Sequence, residues 1–275
     1  MDLNREVADL KEKARLNKNR KMLYKAFSCI DLTSLNATDT EKKIIAMTGK
    51  VNEFSVHFPE MDPVAAICVY PNMASVVRKN LTVAGVRIAA VAGSFPSSMT
   101  FLEVKELEIR KAVQSGADDI DVVLPLWAFL EQKEAICRQE ISAMKEASGI
   151  AHLKVILETG ALPSSELIYK AAVIAMESGA DFIKTSTGKM SPAATPEAAV
   201  VMCHAIRDYA NDTGRKVGFK PAGGIATADD ALLYGTIVRE ILGEEWLNSD
   251  LFRIGASRLA NQLLGNLTGR EISYF

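Results

Sequence analysis

Residues 178–189, SGADFIKTSTGK, contain signals for a helix end, a short strand and the loop after it. Gly179 follows an apolar segment of helical period, and glycine in that place is typical of a left-handed helix cap. The next residues predict a buried strand that carries one lysine, Lys184. The same order of signals occurs in SGADDIDVVLP, residues 115–125, with Gly116 as the cap. A helix, a glycine cap and a buried strand in repeated order are typical of βα units.

Apolar segments rich in β-branched residues alternate with longer segments of helical period along the whole chain. We predict strands at residues 28–35, 64–70, 86–93, 118–125, 152–158, 181–186, 217–224 and 251–257. Thr195 before Pro196 and Thr227 before ADDALL predict helix starts. No linker rich in proline or glycine divides residues 28–260. We therefore predict an α/β fold, a single (β/α)8 TIM barrel over residues 28–275 with an N-terminal helical extension, residues 1–27.

Composition narrows the class of protein. The chain has 275 residues, a formal net charge of -2 and 24% charged residues, which argues against nucleic acid as a main partner. Four cysteines lack CxxC spacing, and His57, His152 and His204 share no spacing with cysteines or acids, so we expect no metal and no cofactor. No signal peptide and no apolar run long enough to cross a membrane is evident, so we expect a cytoplasmic protein without a membrane partner.

The N-terminal extension is basic between residues 11 and 25. An arm for nucleic acid or membrane is one interpretation. We favour a solvated helix that packs Leu10, Met22, Leu23 and Phe27 against the barrel.

Polar residues occur near the ends of several predicted strands, where the active site of a (β/α)8 barrel lies. They are Asp31, Cys68, Asp121, Lys154, Glu158, Lys184 and Lys220. Strand alternation allows Asp121, Lys184 and Lys220 to point inward. A structural network of buried ion pairs is one explanation.

Two lysines on neighbouring strands suggest chemistry instead. A free lysine is almost wholly protonated at neutral pH and is a poor nucleophile. Burial and a second ammonium group both lower a lysine's pKa, and an amine activated in this way forms Schiff bases with carbonyl substrates. Lys184 and Lys220 should lie side by side, with one as the nucleophile and the other as its perturbant and proton relay.

Glycine-rich segments occur at the ends of the last three predicted strands, in STGK, PAGG and IGAS. Loops after strands seven and eight of this fold commonly bind phosphate through backbone N–H groups. Glycine turns alone are weak evidence, but three of them beside two strand-end lysines predict a phosphorylated ligand.

From about residue 25 to nearly its end, the chain resembles the deoxyribose-phosphate aldolases, class I aldolases of the (β/α)8 type. DFIKTSTGK and GFKPAGG, in this order and spacing, carry the resemblance, together with DLTSLN, AAICVYP, GADDIDVVLP and LKVILETG. The resemblance implies reversible cleavage of 2-deoxy-D-ribose 5-phosphate to acetaldehyde and D-glyceraldehyde 3-phosphate, and a homodimer or another homo-oligomer.

The resemblance also implies roles for individual residues. The Schiff-base lysine falls on Lys184, its partner on Lys220 and the proton-transferring aspartate on Asp121. Sugar contacts fall on Asp31 and Thr187, and Cys68 matches a cysteine at the pocket mouth, although alone it would be interpreted as a small core residue. The phosphate neighbourhood falls on Gly188, Lys189, Gly223, Gly224, Gly255 and Ser257.

Two positions depart from the family pattern. Arg258 replaces a small hydroxyl residue beside the phosphate loop, and Tyr274 is penultimate where many members end in tyrosine. The alternatives left open are another Schiff-base aldolase, a phosphosugar isomerase, and a catalytically silent barrel that binds a phosphate ligand.

Overall fold

Eight parallel strands form the centre of the fold in the computed structural model, which describes residues 2–275. The strands are β1 Ile30–Thr33, β2 Ala66–Val69, β3 Arg87–Val91, β4 Asp119–Val123, β5 His152–Ile156, β6 Phe182–Lys184, β7 Gly218–Lys220 and β8 Ile254–Ala256. Neighbours in sequence pair from β1 to β7, and β8 pairs with β1. Bridges Phe219–Phe252 and Ala222–Gly255 join the β7 edge to the β8 edge. The predicted (β/α)8 barrel is therefore confirmed.

Helices surround this barrel. Those formed by the described residues are α1 Leu3–Leu16, α2 Arg20–Ser28, α3 Glu41–Asn52, α4 Phe54–His57, α5 Ala74–Asn80, α6 Leu102–Gln114, α7 Leu126–Leu130, α8 Glu134–Ser148, α9 Ser165–Glu177, α10 Pro196–Thr213, α11 Ala228–Leu242 and α12 Leu259–Thr268. Within residues 2–275, none of these is both long and apolar enough to span a bilayer.

Local signals set the helix boundaries as predicted. The Thr195 side chain accepts a hydrogen bond from Ala198 N at the start of α10, and Thr227 forms a capping box with Asp230 at the start of α11. Gly116 and Gly179 follow α6 and α9 with φ of +98° and +101°, a conformation that glycine adopts at little cost. The chain therefore leaves each helix where the next strand must begin.

The apolar core has two parts. The larger cluster lies between the outward faces of the strands and the helices, and includes Ile67, Ile183 and Phe219. A small cluster of Leu35, Ala66, Cys68, Ala89 and Val91 fills the side of the barrel interior formed by β2 and β3. The rest of the interior is left for polar side chains.

The N-terminal segment packs on the outer helices. Its apolar side chains Leu10, Met22, Leu23 and Phe27 are buried as expected. Helix α1 contacts α10 and α11, and α2 contacts α11 and α12. Ion pairs add to these contacts, such as Lys13 to Glu240 at 2.6 Å.

Candidate active site

Lys184 and Lys220 are direct partners in the register of β6 and β7. Residues at matched positions of paired strands point to the same face, so both side chains enter the barrel. Each Nζ donates a hydrogen bond to the same atom, Asp121 Oδ2 of β4, at 2.8 Å from Lys184 and 2.7 Å from Lys220. The other oxygen of Asp121 lies 3.3 Å from Lys154 Nζ. The two lysines are thus held side by side on one shared carboxylate.

A second layer of charges lies beneath this carboxylate. Asp31 Oδ2 lies 2.5 Å from Lys220 Nζ, and Asp31 Oδ1 accepts from Arg253 Nη1 at 2.7 Å. Asp119 Oδ2 lies 2.7 Å from Lys154 Nζ and 3.3 Å from Arg253 Nη1. We call these side chains the buried ionic network: Asp31, Asp119, Asp121, Lys154, Lys184, Lys220 and Arg253.

Coulombic attraction outweighs the cost of burial within the network. Burial alone would raise the pKa of Asp121, but Lys184 and Lys220 hold it well below the usual range. Burial alone would lower the pKa of Lys220, but Asp121 and Asp31 raise it above the usual value. Asp121 is therefore a carboxylate and Lys220 an ammonium at neutral pH.

A cavity of about 450 Å³ opens above the network. Its walls are Thr33, Leu35, Asn36, Lys184, Thr187–Lys189, Ala222–Ala226 and Gly255–Arg258. Lys184 is the member of the buried ionic network that reaches this wall, and its exposed fraction is 3%. A ligand in the cavity would therefore meet the Lys184 amine before any other charged group of the network.

Thr187 of the cavity wall is held by Glu158, a residue in the left-handed backbone conformation. Glu158, after β5, has φ of +51°, an uncommon conformation for a residue with a side chain. Its buried carboxylate accepts hydrogen bonds from Thr187 N at 3.1 Å and from Thr187 Oγ1 at 2.5 Å. Glu158 thus fixes Thr187, which was predicted to contact the sugar.

The glycine turns after β6, β7 and β8 form another part of the cavity wall. Gly223 and Gly224 have φ of +84° and +79°, and a Cβ at Gly223 would lie 2.7 Å from the Ala193 side chain. Lys189 Nζ donates to the carbonyl of Leu35 at 2.5 Å, so it ties the loop after β6 to the loop after β1. Arg258 is exposed at the N-cap position of α12. Two cationic residues, Lys189 and Arg258, therefore lie among the glycine turns of the cavity wall.

The predicted site residues fall into three places. The cavity wall contains Lys184, Thr187, Gly188, Lys189, Gly223, Gly224, Gly255 and Ser257. Asp121, Lys220 and Asp31 lie beneath it with no exposed surface, so the predicted contact of Asp31 with sugar remains a prediction. Cys68 lies in the inner apolar cluster, where burial raises the pKa of its thiol.

Sequence reasoning missed Asp119 and Arg253. Asp119 precedes Asp121 by two residues in a strand, so alternation would have placed both side chains inside the barrel. Arg253 stands between apolar residues in LFRIGAS, the same signal that identified Lys184.

Comparisons with known proteins identify the family of this chain. The family model described as DeoC/LacD family aldolase matches residues 25–273. A deoxyribose-phosphate aldolase from Bos taurus is 43% identical over 267 residues, which cover 92% of this chain and 84% of the relative. The Homo sapiens deoxyribose-phosphate aldolase gives the same identity and the same coverage.

A solved structure shows the same fold. The deoxyribose phosphate aldolase from Aeropyrum pernix, described as having a unique tetrameric structure, superposes with a TM-score of 0.65. The match covers 90% of this chain and 98% of that one, at 23% identity. From the family model and the identity to the mammalian enzymes, we conclude that this chain belongs to the DeoC/LacD family of aldolases.

Proposed function

We propose that this chain reversibly cleaves 2-deoxy-D-ribose 5-phosphate to acetaldehyde and D-glyceraldehyde 3-phosphate through a Schiff base on Lys184. The observation that carries the proposal is the position of Lys184, at the cavity wall and 2.8 Å from a carboxylate oxygen that also holds Lys220. The family membership and the names of the mammalian relatives support this substrate.

The first step is attack by the amine of Lys184 on the C1 aldehyde carbon of the open-chain sugar. The attack needs the amine in its free form. Lys220 retains its proton beside the same oxygen of Asp121, so a proton donor lies next to the attacking amine. Loss of water from the carbinolamine then gives a protonated imine.

The imine acts as the electron sink for C–C cleavage. A base removes the proton of the C3 hydroxyl, and the C2–C3 bond breaks as C3 becomes the aldehyde carbon of the departing D-glyceraldehyde 3-phosphate. The electron pair of the broken bond forms the C1=C2 double bond of an enamine, while the C=N pair moves to the Lys184 nitrogen. Protonation of C2 and hydrolysis release acetaldehyde and the free lysine. Asp121 and Lys220, with a water molecule, would carry these protons, as the carboxylate accepts and the ammonium donates.

The phosphate would lie against the glycine turns of the cavity wall. Ser257, Lys189 and Arg258 line the cavity together with Gly188, Gly223, Gly224 and Gly255. Arg258 has no side-chain hydrogen bond to any of residues 2–275, which leaves its guanidinium available for a dianion. The side chain that departs from the family pattern would therefore add a phosphate contact.

Borohydride trapping tests the proposed chemistry. The protein is incubated with 2-deoxyribose 5-phosphate, reduced with borohydride and digested, and the modified peptide is located by mass spectrometry. We expect the adduct on Lys184, and none in Lys184→Ala. A protein that binds the phosphosugar but gives no adduct would instead be a silent barrel, and turnover without an adduct would indicate an isomerase.

We also propose that the chain assembles as a homo-oligomer. Met99, Phe101, Val104 and Leu107 are large apolar side chains, each 46–73% exposed, on α6 and the loop before it. An exposed apolar patch of this kind commonly lies in an interface, and the Aeropyrum pernix relative is described as tetrameric. Sedimentation velocity would measure the assembly, and a monomer at high concentration would refute it.

The two remaining proposals concern organisation and location. We propose residues 1–27 as a helical extension of a barrel domain at 28–275, to be tested by the activity of a chain truncated before residue 28.

We propose a cytoplasmic location, which the buried unpaired thiols Cys29, Cys68, Cys137 and Cys203 favour. Cell fractionation would measure it.

A further inference from the structure

Arg253 is a buried cation that the proposed chemistry does not use. It precedes β8, and its side chain is among the largest that are fully buried. Nη1 lies 2.7 Å from Asp31 Oδ1 and 3.3 Å from Asp119 Oδ2, and Nε donates to the carbonyl of Ser249. The guanidinium also lies 5.9 Å from the centroid of the Phe182 ring. A buried guanidinium is tolerated only when paired in this way.

The contacts of Arg253 lead to the candidate nucleophile. The two carboxylate oxygens of Asp31 contact different side chains. Oδ1 accepts a hydrogen bond from Arg253, and Oδ2 lies 2.5 Å from Lys220 Nζ. Lys220 then donates to Asp121 Oδ2, which also accepts from Lys184. A continuous series of charged contacts therefore joins Arg253 to Lys184.

The strand that follows Arg253 also shapes the space around Lys220. Gly255 lies opposite Asp31 in the pairing of β8 with β1. A Cβ at Gly255 would lie 3.2 Å from Lys220 Cε and 2.8 Å from the Ala222 Cβ. The Lys220 side chain thus fits closely against β8. A small rotation of the Asp31 carboxylate would therefore change which carboxylate oxygen Lys220 Nζ contacts.

We propose that Arg253 is a positioning residue for the aldolase reaction, acting through Asp31 to keep Lys220 on the carboxylate of Asp121. This inference rests on the proposed function. Arg253 has no exposed surface and would not touch the substrate. Its hydrogen bond fixes Oδ1 of Asp31, which leaves Oδ2 for Lys220. Without Arg253, Asp31 would turn toward Lys220 and draw it away from Asp121 and Lys184.

Arg87 provides a matched control. Its Nη2 lies 2.8 Å from Asp119 Oδ1, so it also pairs with a buried aspartate inside the barrel. Its side chain is 29% exposed, and its ion pair is with Asp119 and not with Asp31. Loss of Arg87 therefore removes a cation from Asp119 but leaves the path through Asp31 intact.

The experiment compares Arg253→Met, Arg253→Lys and Arg87→Met with the wild type. It measures kcat, KM, the rate of borohydride-trapped imine on Lys184 and the melting temperature. We expect Arg253→Met to lower kcat and the trapping rate about 10- to 100-fold, because loss of a group that orients a reacting side chain has an effect of this size. KM should change less than about threefold, since Arg253 does not touch the substrate. Arg87→Met should retain kcat within about threefold.

Arg253→Lys keeps the charge and covers the case in which Arg253→Met does not fold. A lysine cannot reproduce the fork of the guanidinium, so kcat should remain about tenfold low in a protein that melts near the wild type. Full activity in Arg253→Lys or Arg253→Met, or equal losses in Arg253→Met and Arg87→Met, would overturn the inference. Absence of any wild-type adduct on Lys184 would instead refute the proposed function.

Discussion

Replacing Asp121 by asparagine removes the carboxylate that Lys184 and Lys220 share. The amide keeps the shape of the side chain but carries no charge. Lys184 would lose its hydrogen-bonded anion, while Lys220 would retain Asp31 at 2.5 Å. The variant therefore leaves the buried Lys184 side chain without its hydrogen-bonded carboxylate and takes one of two nearby carboxylates from Lys220.

The expected loss of stability follows from burial. Asp121 has no exposed surface and contacts three lysines at 2.7 to 3.3 Å. Removal of one partner from a buried ion pair typically costs about 3–5 kcal/mol. In a domain of this size the melting temperature should fall by about 10 °C at neutral pH.

The loss of stability in Asp121→Asn should depend on pH. The folded-state pKa of Asp121 lies well below its ordinary value, so the carboxylate stabilises the fold at pH above the unfolded pKa. That stabilisation is lost as the pH falls through the folded pKa. The difference in melting temperature between wild type and Asp121→Asn should be full from about pH 5 upward and should shrink below about pH 4.

Calorimetric melting from pH 3 to pH 8 and a coupled assay for D-glyceraldehyde 3-phosphate give both readouts. We expect kcat to fall about 10²- to 10⁴-fold, the contribution of a general acid or base. Glu12→Gln is the control, because Glu12 pairs with Arg15 in solvent and exposed pairs contribute little. If Asp121→Asn melted like the wild type at neutral pH, the ionised network described above would be wrong.

Three further changes have distinct expected results. Lys184→Ala should abolish turnover and trapping while circular dichroism shows an intact fold; residual turnover would exclude Lys184 as the nucleophile. Arg258→Gln should raise KM for 2-deoxyribose 5-phosphate about tenfold or more, as the loss of a charged hydrogen bond does, but leave plain deoxyribose unaffected; equal effects on both would remove Arg258 from the phosphate site. Tyr274→Phe should lower the free energy of unfolding by about 1 kcal/mol and leave kcat unchanged, because the Tyr274 hydroxyl donates a hydrogen bond to the Lys50 carbonyl at 2.7 Å. A fall in kcat would give the C-terminal tail a role in the reaction.

The sequence predicted the strands but overestimated their lengths. Residues 181–186 were predicted as a strand, and β6 spans Phe182–Lys184. Thr185 still donates a backbone hydrogen bond to Lys220, and Thr185 and Ser186 are buried. Composition and periodicity indicate which residues are buried. A strand predicted from them therefore includes the buried loop residues that follow the true strand.

The position of the lysines was predictable for a local reason. A charged residue inside an apolar strand must face a polar interior, and alternation fixes its direction. The hydrogen bonds from Thr187 to Glu158 were not predictable, because they join residues 29 positions apart and depend on a left-handed conformation at Glu158. The tail was unpredictable for the same reason, since the Tyr274 hydroxyl bonds to Lys50, 224 positions away.

The exact match of Lys184 with Lys220 in the register of β6 and β7 limits how this protein can change in evolution. Side chains alternate between the two faces of a strand, so an insertion or deletion of one residue in β6 would turn Lys184 toward the outer helices and Ile183 into the barrel. The same change in β7 would exchange Lys220 with Phe219. Length variation among descendants of this chain should therefore be confined to the loops and helices, whereas the strands should tolerate substitution only.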